Sequence, residues 1–355
     1  MTGIRLKNIV KRYGPAVAAD VNALEIGDGE IVSLLGPSGC GKTTTLRIIA
    51  GLVVQDEGDI WFGETLVNDR PPERRNAAMV FQNYALFPHM TVFENVAFGL
   101  RVRKQSAADI ACKVAAVLEL VKLPGMAERL PKQLSGGQQQ RIAIARALAT
   151  EPDVLRFDEP LSNLDAKLRE YMRFELRRLL EQLKITTVYV THDQAEAMVI
   201  SDRIVVMEKG AIVQNDAPHK VYRDPASRFV AEFVGTASLI EGTLDAWDAA
   251  THRGTVVTAD GLRLNGRGGE LRLGQSVLFC ARPEGIALEP SSTVLIDGLP
   301  GVVEAAVDLG EFVDYQVRVS RWLLRTKSLA SARAVRDGDA VTVRFDPERC
   351  FIVPG

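Results

Sequence analysis

The chain has 355 residues, 46% hydrophobic and 25% charged, which is the balance of an ordinary folded protein long enough for about two domains. Its 43 lysine and arginine residues against 45 aspartate and glutamate residues leave a net charge of -2, so overall charge does not recruit nucleic acid or an anionic membrane. The four cysteines are widely spaced and indicate neither a disulfide framework nor a zinc site; they are Cys40, Cys112, Cys280 and Cys350.

The first residues, MTGIRLKNIVKRYG, lack the continuous apolar core of a secretion signal. No later stretch approaches eighteen uncharged apolar residues, the length that a membrane-spanning helix needs. We therefore expect a protein of a reducing compartment, and we expect any membrane span to come from a partner.

Residues 1–235 alternate short Val/Ile/Leu runs with longer helical patterns, which predicts an α/β domain with a largely parallel sheet. The predicted strands are 30–35, 77–82, 153–158, 186–191 and 203–208. A mostly helical stretch occupies about 83–150. Residues 236–355 change to short β-like runs separated by glycine, which predicts a separate antiparallel domain, a small barrel.

Residues 36–43 read GPSGCGKT and match the pattern G-x-x-x-x-G-K-[ST] between a predicted strand and a predicted helix. Glycines allow backbone amides to turn toward phosphate oxygens. Lys42 is expected to reach the β and γ phosphates, and the Thr43 hydroxyl is expected to hold Mg²⁺. Cys40 is interpreted as a small loop residue that contributes its backbone amide, with a redox or catalytic thiol as the alternative.

DVLRFDEP places Asp158 and Glu159 at the carboxyl end of a predicted strand, where parallel sheets bind ligands. Beside a phosphate loop, this pair predicts a Mg²⁺ ligand in Asp158 and a base that polarises water in Glu159. His192 follows another predicted strand, and Gln82 ends a third, at the same edge of the sheet. His192 is therefore a candidate to contact the γ phosphate, and Gln82 is a candidate to contact the metal or the attacking water. Arg156 lies within the strand and has no evident partner, although an unpaired buried cation is costly.

A second phosphate cradle begins at Leu134, where the sequence runs LSGGQQQRIAIARALA. Ser135, Gly136 and Gly137 stand where a helix is predicted to start, at about Gln139, and helix starts are common anion sites.

With GPSGCGKT, LSGGQ, DEP and TH in this order, the first 235 residues closely resemble the ATPase subunits of ATP-binding cassette (ABC) transporters. The resemblance implies that Tyr13 stacks on adenine and that ATP is bound by Gly36, Pro37, Ser38, Gly39, Cys40, Gly41, Lys42, Thr43 and Thr44. It implies three Mg²⁺ ligands, Thr43, Gln82 and Asp158, and three catalytic residues, Glu159, His192 and Gln82. Asp165 resembles the last residue of the D-loop. The family's Walker B strand is normally hydrophobic, so Arg156 departs from it.

The family resemblance also implies an assembly. Two ATPase domains face each other head to tail, and each ATP lies between the phosphate loop of one and the signature of the other; the signature residues are Ser135, Gly136, Gly137 and Gln138. A monomer is then expected to bind ATP and to hydrolyse it poorly. The stretch NYALFPHMTVFENVAFGL after Gln82 resembles the part that docks membrane permease subunits. Four of its side chains are either that docking surface, which is favoured, or subdomain core: Tyr84, Leu86, Phe87 and Met90.

The stretches 282–288 and 301–319 resemble the accessory OB-like (TOBE) domain of importer ATPases. The resemblance implies an ATP-hydrolysing import subunit on the cytoplasmic side of the cell membrane, served indirectly by a solute-binding protein. Its cargo is expected to be a polyamine and next ferric iron, with no nucleic-acid partner. The alternatives are a soluble ABC-type ATPase acting on ribosomes or DNA, and an unrelated P-loop kinase or GTPase. A soluble ABC-type ATPase typically carries two cassettes or a long coiled-coil insertion, and the sequence shows neither. The presence of LSGGQ and the absence of the base-reading motif N-K-x-D disfavour a kinase or GTPase.

Overall fold

The computed structural model describes residues 2–290, 298–330 and 335–355. The chain divides into two compact units, Met1–Pro218 and His219–Gly355. The domains predicted from the sequence, 1–235 and 236–355, place the division later, and that boundary stays a prediction.

The first unit is built on one sheet, flanked by helices. Its strands are β1 Ile4–Tyr13, β2 Ala16–Ile26, β3 Ile31–Leu35, β4 Glu57–Phe62, β5 Thr65–Leu66, β6 Ala77–Val80, β7 Val154–Asp158, β8 Thr186–Thr191, β9 Arg203–Glu208 and β10 Ala211–Asp216. Its helices are α1 Lys42–Ala50, α2 Val92–Val102, α3 Ala107–Leu120, α4 Gly136–Leu148, α5 Ala166–Leu183 and α6 Gln194–Ile200. Short 3₁₀ turns occur at Pro72–Arg74 and Pro131–Gln133.

The sheet order is β5-β4-β1-β2-β10-β9-β3-β8-β7-β6. The run from β9 to β6 is parallel throughout, as predicted, and it contains all five predicted strands. Every residue of β3 and β8 is buried, which fits strands covered on both faces. The antiparallel pairs β1–β2, β1–β4 and β9–β10 extend the sheet beyond what the sequence predicted.

Helices α2, α3 and α4 lie in the stretch predicted to be helical, and they share one apolar core with α5 and the β6–β8 side of the sheet. Leu100, Leu118 and Ile144 from these helices pack in the same cluster as Leu176 of α5. The signature helix α4 is therefore packed between its own subdomain and the helix that follows β7.

The second unit contains a closed barrel and a five-stranded sheet, where the sequence predicted only a barrel. The barrel has the order β11-β12-β13-β20-β14, with β11 Ser238–Asp248, β12 Arg253–Val257, β13 Arg263–Gly268, β14 Ser276–Ala281 and β20 Cys350–Pro354. The sheet has the order β15-β19-β16-β17-β18, with β15 Ile286–Pro290, β16 Leu299–Asp308, β17 Phe312–Val319, β18 Trp322–Leu329 and β19 Ala340–Phe345. Phe279 of β14 meets Phe345 of β19 edge to face at 5.3 Å, within one shared core.

Two short helices, α7 Pro218–Arg223 and α8 Arg228–Phe233, precede the barrel and are held to it by a buried arginine. Arg282 donates to the carbonyl oxygens of Ala231 at 3.0 Å, Thr236 at 3.3 Å and Tyr222 at 3.1 Å. Its guanidinium also lies 4.4 Å from the centre of the Tyr222 ring, and the Tyr222 hydroxyl donates to Glu284 at 2.8 Å. Burial raises the pKa of Tyr222 to about 12. The RPEG stretch thus fastens both helices to the barrel.

Arg156, unexplained by the sequence, is 3% exposed in β7 and uses backbone oxygens as partners. It donates to the carbonyls of Ala78 at 3.4 Å and Ala77 at 3.2 Å on the neighbouring strand β6. Burial, and secondarily the charge of Arg75, lowers its pKa to about 10. One guanidinium nitrogen, Nη1, has no partner. The arginine therefore fills space beside the edge strand at an electrostatic cost.

We expect the volume of Arg156 to matter more than its charge. Arg156→Met retains most of the volume and removes the buried charge, so its midpoint of thermal unfolding should equal or exceed that of the wild type. Arg156→Ala leaves a cavity and should cost about 2–4 kcal/mol, or several degrees in that midpoint. Calorimetry of the three full-length chains makes the comparison. A methionine variant as unstable as the alanine variant would show instead that the charge is required.

Candidate functional site

The candidate site is assembled where four parallel strands end. β3, β8, β7 and β6 are neighbours in this order, with Leu35 opposite Thr191, Asp158 opposite Val190, and Val80 opposite Phe157. The residues that follow these strand ends are the phosphate loop, His192, Glu159 and Gln82. Register alone therefore brings the sequence-predicted residues to one edge of the sheet, as expected for a ligand site in an open α/β sheet.

Two glycines of the phosphate loop stand where a side chain would have no room. A Cβ at Gly36 would collide with the Met207 carbonyl and with the Cys40 sulfur, and a Cβ at Gly41 would collide with the Ala18 carbonyl. Gly41, with φ of 104°, is also the N-cap of α1 and supplies no side-chain oxygen to its first turn. The amides of that turn are thus left for an anion, as in phosphate-binding loops. Cys40 is buried beneath Gly36, in a packing position.

Lys42 is the first residue of α1 and is only 6% exposed. Its ammonium donates to the carbonyl oxygens of Gly36 at 2.6 Å and Pro37 at 2.9 Å, so it lies inside the loop rather than in solvent. An ammonium held inside the loop is suited to phosphate oxygens.

Thr43 and Asp158 bring two oxygen ligands together at the edge of the loop. The Thr43 hydroxyl donates to Asp158 Oδ1 at 3.4 Å. Burial raises the pKa of Asp158, and the charges of Arg47 and Lys42 offset only part of that rise. A hydroxyl beside a partly buried carboxylate fits the hard oxygen ligands that Mg²⁺ prefers.

Three predicted catalytic side chains meet at one carboxylate oxygen. Glu159 Oε2 lies 3.0 Å from His192 Nδ1 and accepts a bond from Gln82 Nε2 at 3.4 Å. Glu159 has φ of 47°, a left-handed conformation that is uncommon outside glycine and that occurs often at functional sites. Its own amide donates to the Val190 carbonyl at 2.9 Å, which anchors the left-handed residue to β8.

The signature stretch begins a helix, but earlier than predicted. α4 starts at Gly136, and Ser135 is its N-cap within a capping box: Ser135 Oγ accepts from the Gln138 amide, and Gln138 Oε1 accepts from the Ser135 amide. The serine oxygen is therefore already an acceptor within its own helix, while the hydroxyl proton is left to donate outward. Gly137 is buried close to Leu168 of α5.

Two further predicted residues lie at helix or strand ends. Asp165 is the N-cap of α5 and accepts from the Leu168 amide at 2.9 Å. Tyr13 ends β1 and is 54% exposed, so its ring is accessible for stacking.

The predicted docking stretch requires a correction. Tyr84 is 7% exposed and belongs to the apolar core of α2–α5, and Leu86 packs against the same core. The favoured interpretation of Tyr84 as an exposed docking side chain is therefore wrong. Phe98, on the same stretch, is exposed and lies 4.8 Å from Phe87, ring centre to ring centre. Within the described residues, every helix is too short or too polar to span a bilayer.

Sequence reasoning missed a buried carboxylate beside the strand end that precedes His192. Glu196 of α6 accepts bonds from the Tyr189 hydroxyl at 2.9 Å and the Thr191 hydroxyl at 2.8 Å, and burial raises its pKa. The stretch THDQAEAM carries a partial signal, because Asp193 and Glu196 are spaced as the N-cap and the third residue of a helix.

Comparisons with known proteins agree on one family. Residues 20–162 match the ABC transporter family, and residues 279–353 match the TOBE domain. The chain is 43% identical to the spermidine/putrescine import ATP-binding protein of Rubrobacter xylanophilus, over 99% of this chain and 94% of that protein. It is also 43% identical to an Fe(3+) ions import ATP-binding protein of Rhizobium meliloti, over 98% of this chain and 97% of that protein.

A solved structure resembles part of the chain. The dimeric structure of MJ0796, a bacterial ABC transporter cassette, is 35% identical and superposes with a TM-score of 0.54, over 61% of this chain and 98% of that one. The chain belongs to the import ATP-binding subunits of ABC transporters that carry a C-terminal TOBE domain, and it is an ATPase.

Proposed function

We propose that this ATPase powers solute import: two copies, or this chain and a paired cassette, close head to tail on ATP at the cytoplasmic face of the membrane and move partner permease subunits. The observation that carries the proposal is the meeting of Gln82, Glu159 and His192 at one carboxylate oxygen, beside the loop that holds Lys42. A phosphate cradle beside a carboxylate that can take a proton from water is the central requirement for hydrolysis of a γ phosphate.

The roles follow from the positions of the side chains. Lys42 and the amides of the first turn of α1 hold the β and γ phosphates, and Tyr13 stacks on the adenine. Thr43, Asp158 and Gln82 would hold Mg²⁺, which when bound neutralises charge on the phosphates. Glu159 accepts a proton from the attacking water, while His192 keeps the carboxylate oriented and contacts the γ phosphate.

Pairing is supported by the signature. Ser135 and Gly136 are exposed at the start of α4, where the helix dipole favours an anion. With the phosphate loop supplying one set of donors, a second set on the same chain is best used on the ATP of a partner. The dimeric cassette that superposes on 61% of this chain supports the same arrangement.

Partner permease subunits would bind beside the loop after Gln82, where Phe98 and Val102 of α2 present apolar surface. A solute-binding protein would then act through the permease. We propose a polyamine cargo, with ferric iron next. Relatives at equal identity are named for either cargo, so this choice depends on the other subunits rather than on the ATPase.

Removing the phosphate-loop cation should weaken nucleotide binding. Lys42→Ala deletes the ammonium that lies against the Gly36 carbonyl, so we expect ATP affinity to fall by at least tenfold. Lys104→Ala, which removes an exposed lysine elsewhere, is the control and should bind ATP normally. Isothermal titration with ATP and Mg²⁺ measures both. Unchanged affinity in Lys42→Ala would refute the phosphate assignment.

Glu159→Gln should separate binding from hydrolysis. The amide keeps the size of the side chain but cannot take a proton, so we expect normal ATP affinity and turnover reduced by at least a hundredfold. The variant should also accumulate as an ATP-dependent dimer in size-exclusion chromatography. Glu119→Gln, on the exposed side of α3, should behave as the wild type. Normal hydrolysis by Glu159→Gln would remove this residue from the role of base.

The import role can be tested with the membrane partners. When the chain is co-expressed with the permease subunits of its own import system, the two should co-purify in detergent. Reconstituted in liposomes, the complex should hydrolyse ATP faster with a spermidine-loaded binding protein than with an Fe³⁺-loaded one. A chain that never co-purifies contradicts the import role, and the opposite stimulation contradicts only the polyamine proposal.

A further inference from the structure

The loop 162–165, between β7 and α5, contacts the backbone of both Glu159 and Gln82 in the same chain. The Ser162 hydroxyl donates to the Glu159 carbonyl at 2.9 Å. The Asn163 amide donates to the Gln82 carbonyl at 2.8 Å. These bonds hold the two backbone segments from which the paired carboxylate and amide side chains extend.

The same loop is fixed from behind by Arg169 of α5. Arg169 Nη2 donates to the carbonyls of Ser162 at 3.2 Å and Leu164 at 3.0 Å. Its other terminal nitrogen, Nη1, lies 3.7 Å from Asp193 Oδ2. Asp193 directly follows His192, so one guanidinium spans the loop and the segment that carries the histidine.

Asp193, which Arg169 contacts, is itself held by three further hydrogen bonds. Arg173, one turn further along α5, donates to Asp193 Oδ2 at 2.7 Å. Asp193 Oδ1 accepts from the Glu196 amide at 3.1 Å, and the Asp193 amide donates to the Thr191 hydroxyl at 2.9 Å. The segment around His192 is therefore bonded on both sides, and movement of α5 relative to it is restrained.

We propose that Asn163 and Arg169 are positioning residues that make the loop 162–165 a brace between the Gln82, Glu159 and His192 segments of one chain. Neither touches the reacting atoms. Glu159 has a left-handed backbone, and nearby bonds must hold that conformation. A carboxylate misplaced by about 1 Å can cost on the order of a hundredfold in rate, so loss of the brace should reduce turnover rather than binding.

This inference rests on the proposed catalytic roles of Glu159, Gln82 and His192, and its test separates the two. Asn163→Ala and Arg169→Gln should each lower kcat about tenfold or more while KM for ATP stays within about twofold. The double variant should lose less than the product of the two, since both act on one loop.

Arg177→Gln is the matched control. Arg177 lies on the same helix. It donates to the Ile200 carbonyl and to the carboxylates of Asp202 and Glu181, but it does not contact the loop. It should lose comparable stability and keep the wild-type kcat. Equal loss of kcat in Arg177→Gln and Arg169→Gln would overturn the proposal, because destabilisation of α5 would then explain the loss of kcat without the brace.

A second measurement distinguishes the brace from a contact across the dimer. In a Glu159→Gln background, Arg169→Gln should still form the ATP-dependent dimer, since the proposed bonds lie within one chain. Loss of that dimer contradicts the proposal. If Arg169→Gln and Asn163→Ala turn over normally while Glu159→Gln is inactive, the brace is wrong and the proposed function stands; if Glu159→Gln is fully active, the proposed function fails.

Discussion

Backbone register between four parallel strands is the constraint on which the site depends. β3, β8, β7 and β6 are bonded edge to edge, so their carboxyl ends stop within a residue or two of one another. Because β3 and β8 are buried on both faces, a slip of one residue would exchange the side chains packed on the two faces and would separate the loops. The chemistry can then be carried by short loops, each only a few residues long, on a rigid edge.

Around that edge, cationic side chains are hydrogen-bonded to backbone carbonyl oxygens as well as paired with carboxylates. Lys42, Arg156 and Arg169 all direct guanidinium or ammonium protons to carbonyl oxygens. Carbonyl partners neutralise no charge, so the Lys42 ammonium is left to respond to an incoming anion, whereas Arg169 also lies near Asp193 and Arg156 is buried within the sheet. The site is thus electropositive on the side of the phosphate loop and acidic at the ends of β7, which suits a nucleotide with its metal between them.

The sequence predicted the strand ends, the phosphate loop and the meeting of Gln82, Glu159 and His192, because hydrophobic runs and the residues that follow them are local patterns. Three features were beyond such patterns. The burial of Tyr84 depends on helices far along the chain, and the carbonyl partners of Arg156 belong to another strand. The bond from Asn163 to Gln82 joins residues 81 positions apart, and no spacing in the sequence encodes it.

The glycine that begins α1 has a thermodynamic consequence. Most of the other helices are capped by a serine, threonine or aspartate of this chain, whereas Gly41 offers none. The first turn of α1 is consequently completed by whatever anion the loop holds. A ligand that binds only the folded chain at about a hundredfold above its Kd adds about 2.7 kcal/mol to the free energy of unfolding. The free energy of unfolding of the cassette should therefore rise with the concentration of nucleotide.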